Sequence, residues 1–368
     1  MTPIHVLEAG RISPEEEIRL VRLLMEKTAK EGDRAPSRFC VASLIGKGLS
    51  LGMFQIPTAA VKMARCRESG FTLTRRLTGG TATYYGEGIL SLSLILPGPS
   101  SFSDPIPPAK VINRYIRGIL SGLISLGVNA LYYGGDFLTV NQKRAGYLSM
   151  EVDSRGVVLY QTLLAMDKPY PIPEDLSNYP LNTQRRPDPP ATTLALELNR
   201  TLPEKELIQA IGQGYHKRFG IAWEGCPLTP EESHRMGHPG EEPEGPFRDK
   251  PDPASEGLVG SSLYEFPVGF IQAWVAPGRK GPLEHVRITG DLVGNSPAIH
   301  KLEDRLACVP PIREDVEPLV NRTYGDPSNF LLGLRSPRII TDAVLNAAGR
   351  AGRETDTGAK DTTDDTDP

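Results

Sequence analysis

The sequence predicts an α+β fold, a largely antiparallel mixed sheet with packed helices, followed by a small α+β accessory domain. Three observations carry that expectation. Short β-rich runs outnumber helical ones, and the two kinds do not alternate strictly as wound βαβ units would. The helical stretches carry a single apolar stripe, so each covers one face of something larger. A stretch at 224–257 with seven prolines and many acidic residues then separates a long first part from a shorter run of strands and helices.

In chain order, Ser13-Pro14-Glu15-Glu16 reads as a capping box with proline at the first helical position. Ile18, Val21, Leu24 and Met25 then recur at helical spacing, predicting an amphipathic helix to about Lys30. β-rich segments follow near 39–45, 49–55, 72–76, 82–85 and 88–96. Pro105, Pro107 and Pro108 open a helix over 108–126, striped by Val111, Ile112, Tyr115, Ile116, Ile119 and Leu123 and stopped by Gly127. Strands are expected at 130–133, 137–140, 146–153 and 157–166. Thr201-Leu202-Pro203-Glu204 is a second capping-box signal, starting a helix to about Arg218. Further on, a hairpin of 269–276 and 284–289 spans Pro277-Gly278-Arg279-Lys280-Gly281, and helices are expected near 296–307, 314–320 and 338–348. The expected organisation is a domain over 1–223, a linker over 224–257, an accessory domain over 258–349 and a disordered acidic tail over 350–368.

Composition narrows the function classes. With 41 basic and 45 acidic residues the net charge is −4. Six acids and two bases within 351–368 account for all of it, so the remaining body is formally neutral. A neutral body lacks the basic surface that nonspecific nucleic-acid binding needs, so no nucleic-acid partner is expected. The longest apolar run, at 89–96, is far shorter than the ~20 residues of a membrane helix, and no secretory signal is evident at the start. Cys40, Cys66, Cys226 and Cys308 are scattered without a CxxC pair. That pattern fits reduced thiols in a cytoplasmic protein and predicts no structural metal. His234 and His238 are four apart, but Gly237 and Pro239 interrupt the helix that would align them.

Two segments carry the chemistry. Arg75-Arg76-Leu77-Thr78-Gly79-Gly80-Thr81 places two planar cations beside two glycines between β-rich runs. Paired glycines let the backbone turn and offer its N–H groups to an anion, and arginine forks suit phosphate or carboxylate. An ordinary hairpin turn with surface arginines reads the same way. The second segment, Gly134-Gly135-Asp136-Phe137-Leu138-Thr139-Val140-Asn141-Gln142-Lys143-Arg144-Ala145-Gly146, runs a short strand into a polar turn followed by a lysine. Alone, Lys143 reads as an exposed turn lysine and Asp136 as a turn-capping aspartate.

Together these segments resemble the lipoate–protein ligase family. Its hallmarks are Arg-Arg-x-(Ser/Thr)-Gly-Gly and a later Asp-(Leu/Phe)-x-Val…Lys-x-(Ser/Ala)-Gly. Leu51-Gly52-Met53-Phe54-Gln55 is similar to its Gly-x-x-Gln strand, and the likeness covers roughly 10–222. The resemblance implies the biotin/lipoate ligase fold and a two-step reaction. Lipoate or octanoate and ATP, with Mg²⁺, form acyl-AMP, and a lysine of an acceptor lipoyl domain takes the acyl group. Acceptors of that kind are the lipoyl domains of 2-oxoacid dehydrogenases and the glycine-cleavage H protein. By the same resemblance Lys143 is the catalytic cation. Arg75 or Arg76, Gly79, Gly80, Thr81, Tyr84 and Gly146 line the substrate and nucleotide, and Asp136 is the Mg²⁺ or phosphate-side residue. Only one arginine of an adjacent pair on a strand faces a site, so the other is expected in a structural ion pair. Lys143 is expected to share a pocket with the diglycine turn. Where the family carries an aromatic, a histidine and an aspartate before Gly-Asn, this chain has Tyr84-Tyr85-Gly86-Glu87-Gly88-Ile89. An octanoyltransferase of the same fold needs a thiol near the lysine, and no cysteine lies between Cys66 and Cys226. A paralogue that binds lipoate or lipoyl domains without reacting is the remaining reading.

Overall fold

The computed structural model of the chain describes residues 3–101, 108–178, 189–238, 252–266, 269–276, 278, 281–334 and 336–358. The first unit comprises β1 (Ile4–Ile12), α1 (Pro14–Glu31), β2 (Arg38–Leu44), β3 (Gly48–Leu51), α2 (Pro57–Ala60), α3 (Met63–Glu68), β4 (Thr72–Arg75), β5 (Thr83–Tyr84) and β6 (Ile89–Leu96). It continues with α4 (Pro108–Ser125), β7 (Ala130–Tyr132), β8 (Phe137–Val140), β9 (Lys143–Val152), β10 (Val158–Ala165), α5 (Leu194–Leu198), α6 (Glu204–Phe219), β11 (Trp223–Gly225) and α7 (Pro230–Gly237).

Eight strands form one sheet in the order β11-β1-β2-β6-β10-β9-β8-β7. It is antiparallel from β2 to β7 and parallel at the β11-β1-β2 edge, the α+β class expected. Side-chain alternation divides the sheet into two faces. On β6, Leu90, Leu92 and Leu94 join Tyr115, Ile119, Ile211 and Tyr215 beneath α4 and α6. Ile89 and Ile95 face the other way, with Val21, Leu24 and Met25 of α1. A small β4-β3-β5 sheet closes part of that second face with Tyr84 and Tyr85.

The second unit holds β12 (Val259–Gly260), β13 (Tyr264–Glu265), β14 (Phe270–Ala276), β15 (His285–Gly290), β16 (Val293–Gly294), α8 (Ser296–Leu306), α9 (Arg313–Gly325), β17 (Leu331–Leu332) and α10 (Arg338–Gly358). The β14–β15 pair is the expected hairpin, and α10 packs on β14 while α8 packs on β15. Of the turn joining them, 277, 279 and 280 lie outside the described residues.

Several expectations need correction. The capping box at Ser13 is present, with Ser13 and Glu16 bonded reciprocally. The one at Thr201 is not: Pro203, extended, occupies the cap of α6 without a side-chain bond, which leaves Thr201 too far upstream. The stretch 224–257 is not connector throughout. β11 pairs with β1, anchored by Trp223, whose ring lies tilted 4.8 Å from that of Phe39 and 5.9 Å from Tyr215. α7 has its own capping box at Thr229, and it is tied to α1 by Lys27–Glu232 at 2.7 Å and Arg19 Nε donating to the Met236 carbonyl at 2.8 Å. Residues 239–251 lie outside the described residues. At the other end α10 runs on to Gly358, past the expected limit at 349, and 359–368 are outside the description. The predicted strand at 49–55 ends at Leu51, because Gly52 presses against the diglycine turn: a Cβ there would lie 2.1 Å from the Gly80 carbonyl oxygen.

Candidate functional site

The small sheet delivers the arginine pair. Register places Arg75 opposite Leu51, and the chain then turns away from the strand. Arg76 is buried, and its fork binds backbone rather than a carboxylate. Nη1 donates to the Ser50 carbonyl at 3.0 Å; Nη2 reaches the carbonyls of Gly79 at 2.8 Å and Thr81 at 2.6 Å, and the Tyr147 hydroxyl at 2.7 Å. Its guanidinium also lies 4.6 Å from the Tyr147 ring centre. The structural ion pair expected for one arginine is therefore replaced, at Arg76, by carbonyl clamping of the turn. Arg75 also donates to backbone, through Nη1 to the carbonyls of Gly52 at 2.9 Å, Met53 at 3.3 Å and Gln55 at 2.8 Å. It lines a cavity of about 50 Å³ at the seam between the units, beside Phe54, Arg287 and Glu303. Ligand pockets are roughly 300–1,000 Å³, so this cavity holds no adenylate.

The diglycine turn is tight for reasons of space. Gly80 has φ 90°. A Cβ on Gly79 would stand 1.8 Å from the Leu292 carbonyl oxygen, and one on Gly80 would stand 2.1 Å from the Tyr147 hydroxyl. The Gly79 carbonyl accepts from Tyr147 at 2.7 Å and from Ser149 at 3.1 Å. Burial pushes the Tyr147 phenol up to about 12, so it stays a neutral donor. Thr81 Oγ1 donates to Asp136 Oδ2 at 3.1 Å. The Gly80 N–H donates at 2.8 Å to the Leu292 carbonyl of the second unit.

That bond is one of five made by a single segment. The Gly290 N–H donates to the Phe54 carbonyl at 2.9 Å, and Gln55 Nε2 donates to Asp291 Oδ1 at 2.6 Å. Ser296 gives both its N–H (2.9 Å) and its hydroxyl (2.7 Å) to Glu151 Oε1 on β9. Burial holds the Glu151 carboxyl well above its ordinary range, against the lowering effect of Ser296. The segment from Gly290 to Ser296 thus lies across the Gly-x-x-Gln stretch, the diglycine turn and β9. Asp291, Leu292, Ser296, Glu151 and Tyr147 were missed in the sequence. Only Tyr147 carried a signal, as a large residue directly after Gly146.

Lys143 lies elsewhere. Asn141 and Gln142 have φ 49° and 65°, the two left-handed positions of a tight hairpin turn, and Lys143 follows as the first residue of β9. Its ammonium is 3.0 Å from Glu197, whose carboxylate also accepts from Asn141 at 2.8 Å and Thr192 at 2.6 Å. Burial raises the Glu197 carboxyl, but the bonds from Thr192, Asn141 and Lys143 outweigh it and hold it below its ordinary value. Lys143 pairs with Val140, in the layer beneath α4 and α6, whereas Tyr147 pairs with Phe137 on the α1 side. A register shift between Leu138 and Thr139 makes Ala145 the extra residue of a bulge, and that switches the phase. Lys143 and the Tyr147 that backs the diglycine turn therefore sit on opposite faces of β9.

The remaining expected residues divide the same way. Tyr84 is a core side chain, packed edge-on to Phe71 and bonded to the Glu87 carbonyl at 3.0 Å. Gly146 sits inside the sheet, where a Cβ would be 2.7 Å from the Leu163 carbonyl oxygen. Asp136 is buried beside Thr81, and its carboxylate is the group that would face a Mg²⁺ ion there. Among the described residues there is no cluster of three or more metal-ligating side chains, and no helix long and apolar enough to cross a membrane. His234 and His238 stack on each other at 4.2 Å.

Comparison with known proteins agrees with this architecture. The family model described as the lipoyl protein ligase A/B catalytic domain matches residues 14–215. The chain is 26% identical over 215 residues to the octanoyltransferase LipM of Symbiobacterium thermophilum, covering 50% of this chain and 75% of that protein. Its fold is similar to that of P. falciparum LipL1 in complex with lipoate, with TM-score 0.63 and 13% identity, over 95% of this chain and 99% of that one. It is also similar to the bipartite lipoate protein ligase of Thermoplasma acidophilum, described with its E2 lipoyl domain, with TM-score 0.54 and 13% identity, over 64% and 91%. With more than half of its residues matched by that family model, the chain belongs to the lipoyl protein ligase A/B catalytic domain family.

Proposed function

We propose that the protein is an ATP-dependent lipoate–protein ligase, held here in a closed conformation. In the first step a carboxylate oxygen of lipoate or octanoate attacks the α-phosphorus of ATP, and the bond to pyrophosphate breaks. In the second, the amine of an acceptor-domain lysine attacks the acyl carbon, AMP leaves and the amine loses a proton. Such chemistry needs positioned donors and a mobile cation rather than an enzyme nucleophile. Gly80 and Thr81 would supply backbone donors and Lys143 the cation, with Asp136 beside Mg²⁺ and the phosphates. Residues 1–223, extended by β11 and α7, would form the catalytic domain, and 258–349 the accessory domain. Lipoyl domains, such as those of 2-oxoacid dehydrogenases or the glycine-cleavage H protein, are the acceptors this reading implies, in the cytoplasm.

One observation carries the reading: the Gly80 N–H is satisfied by the Leu292 carbonyl across the seam. An amide capped by another unit is a donor that a phosphate oxygen can take over once that unit withdraws. Accessory-unit withdrawal and a swing of Lys143 away from Glu197 would together bring the cation to the diglycine turn.

The similarity to an octanoyltransferase favours a second reading, acyl transfer through a cysteine thioester. Burial pushes the thiols of Cys40 and Cys66 up, the opposite of activation. Cys226 bonds weakly to the Pro227 carbonyl and Cys308 to that of Asp304 in the second unit. The test is to incubate the protein with octanoate or lipoate, Mg²⁺ and an apo lipoyl domain. An acyl mass increment on the acceptor only when ATP is present supports the ligase. An increment from octanoyl-acyl-carrier protein without ATP replaces it with the transferase, and binding without modification replaces both with a carrier.

A further inference from the structure

Behind the diglycine turn lies a buried carboxylate that the proposed chemistry does not use. Glu17 points from α1 into the sheet and is 1% exposed. It accepts from Tyr85 at 2.5 Å, Ser91 at 2.8 Å, Ser93 at 3.2 Å and Gln161 Nε2 at 3.3 Å. Ser91 and Ser93 are the two serines of β6 that alternate with Leu90, Leu92 and Leu94, so both hydroxyls reach the α1 face. Gln161 is the direct cross-strand partner of Ser93 on β10. No cation touches Glu17: the four bonds are its whole set among the described residues. Burial pushes its carboxyl up, and the four bonds oppose that rise.

An apolar residue would fill this position in an ordinary core, since a carboxylate buried without a cation is costly. What the carboxylate does is orient donors. Gln161 gives its Nε2 to Glu17 and, at 3.2 Å, to Tyr85, which turns its Oε1 outward. That oxygen accepts from Thr78 Oγ1 at 3.2 Å, the only side-chain bond Thr78 makes among the described residues. Thr78 is fully buried between the Arg76 clamp and Gly79, and its carbonyl holds the Met53 N–H at 3.0 Å. Tyr85, in the run that follows the diglycine turn, gives its hydroxyl to Glu17.

We propose that Glu17 is a positioning residue for the diglycine turn, acting through Tyr85 and Gln161 on Thr78. Its catalytic consequence rests on the ligase reading above; its structural consequence does not. Glu17→Gln keeps the shape of the side chain but turns one acceptor oxygen, either Oε1 with its three donors or Oε2 with its one, into a donor, so the chain of bonds to Thr78 loosens. Hydrogen exchange of the peptide spanning 78–81 should then rise about tenfold while β6 and β10 stay protected. In the same variant kcat/KM for ATP-dependent acylation should fall about tenfold, and Thr78→Val should give a similar loss. The double variant should lose no more than either alone, which a general weakening of the core would not produce. Unchanged exchange over 78–81, or additive losses, overturns the proposal. Should the wild-type protein show no ATP-dependent acylation, the ligase reading fails, and the exchange measurement alone still decides the role of Glu17. Should Glu17→Gln fail to fold, Tyr85→Phe is put through the same two measurements with Thr78→Val. Unchanged exchange there is equally decisive against it.

Discussion

The diglycine turn and the Lys143 hairpin were expected to form one pocket, yet they are built in opposite ways. The turn is buried and fixed from every side: Arg76 clamps its carbonyls, Tyr147 and Ser149 back it, and the second unit caps its amide. The hairpin ends in a lysine whose side chain is 47% exposed and whose ammonium is held by one carboxylate. An overdetermined loop resists movement, while a surface ion pair is worth little and breaks readily. The contrast assigns the two halves of the proposed site different tasks. The turn is a preorganised cradle whose cover must leave, and the lysine is the part that moves.

The largest expected effect separates chemistry from stability at the hairpin. Lys143→Ala should leave the unfolding free energy within about 0.5 kcal/mol, because the residue is a surface one. It should lower adenylate formation by roughly 10²–10³-fold, as loss of a transition-state donor does. Chemical denaturation together with pyrophosphate release checks both. A variant with full activity removes the lysine from the mechanism. At the turn the balance should reverse. Gly79→Ala forces a Cβ against the Leu292 carbonyl and should cost about 1–3 kcal/mol, seen as a lowered denaturation midpoint. A neutral result there would mean the turn is not overdetermined.

Glu151 sharpens the comparison at the seam. Its carboxyl is raised in the docked form, so the docked form holds its proton more tightly than an undocked one would. Docking is therefore fully favoured below the ordinary carboxylate range and weakens as pH rises through the raised value. Small-angle scattering should show the wild-type protein expanding along that rise, and Glu151→Gln should flatten the response. No change in radius, or an expansion on acidification, would contradict the sign. The smallest effect belongs to Glu197, whose carboxyl is lowered. Its contribution is present above the ordinary carboxylate range and is lost as pH falls through the lowered value. Glu197→Gln should cost at most about 1 kcal/mol in a thermal melt and remove that acid-side loss.

The fold was legible where local chemistry decides it. The capping box at Ser13, the stripe from Val111 to Leu123 and the alternation of β6 each state their element in a few residues. Thr201 misled because Pro203 takes the cap itself. The folded part of 224–257 was hidden because its stability comes from Trp223 on Phe39 and Glu232 on Lys27, contacts with distant segments. The candidate site was legible as residue types only. Gly79 and Gly80 read as ligand-facing, yet each is also required by close approach of protein atoms. The Ala145 bulge, which puts Lys143 and Tyr147 on opposite faces, leaves no mark in the alternation of so short a run. Asp291 and Leu292 lie more than two hundred residues from the turn they cover, and nothing local announces them.

The most direct test needs no acceptor. Protein incubated with octanoate, ATP and Mg²⁺ is denatured, and the released small molecules and the intact chain are weighed by mass spectrometry. The account predicts octanoyl-AMP released from the wild-type protein and absent from Lys143→Ala, with the chain mass unchanged in both. An octanoyl group remaining covalently on the chain, or no adenylate from the wild-type protein, would contradict it.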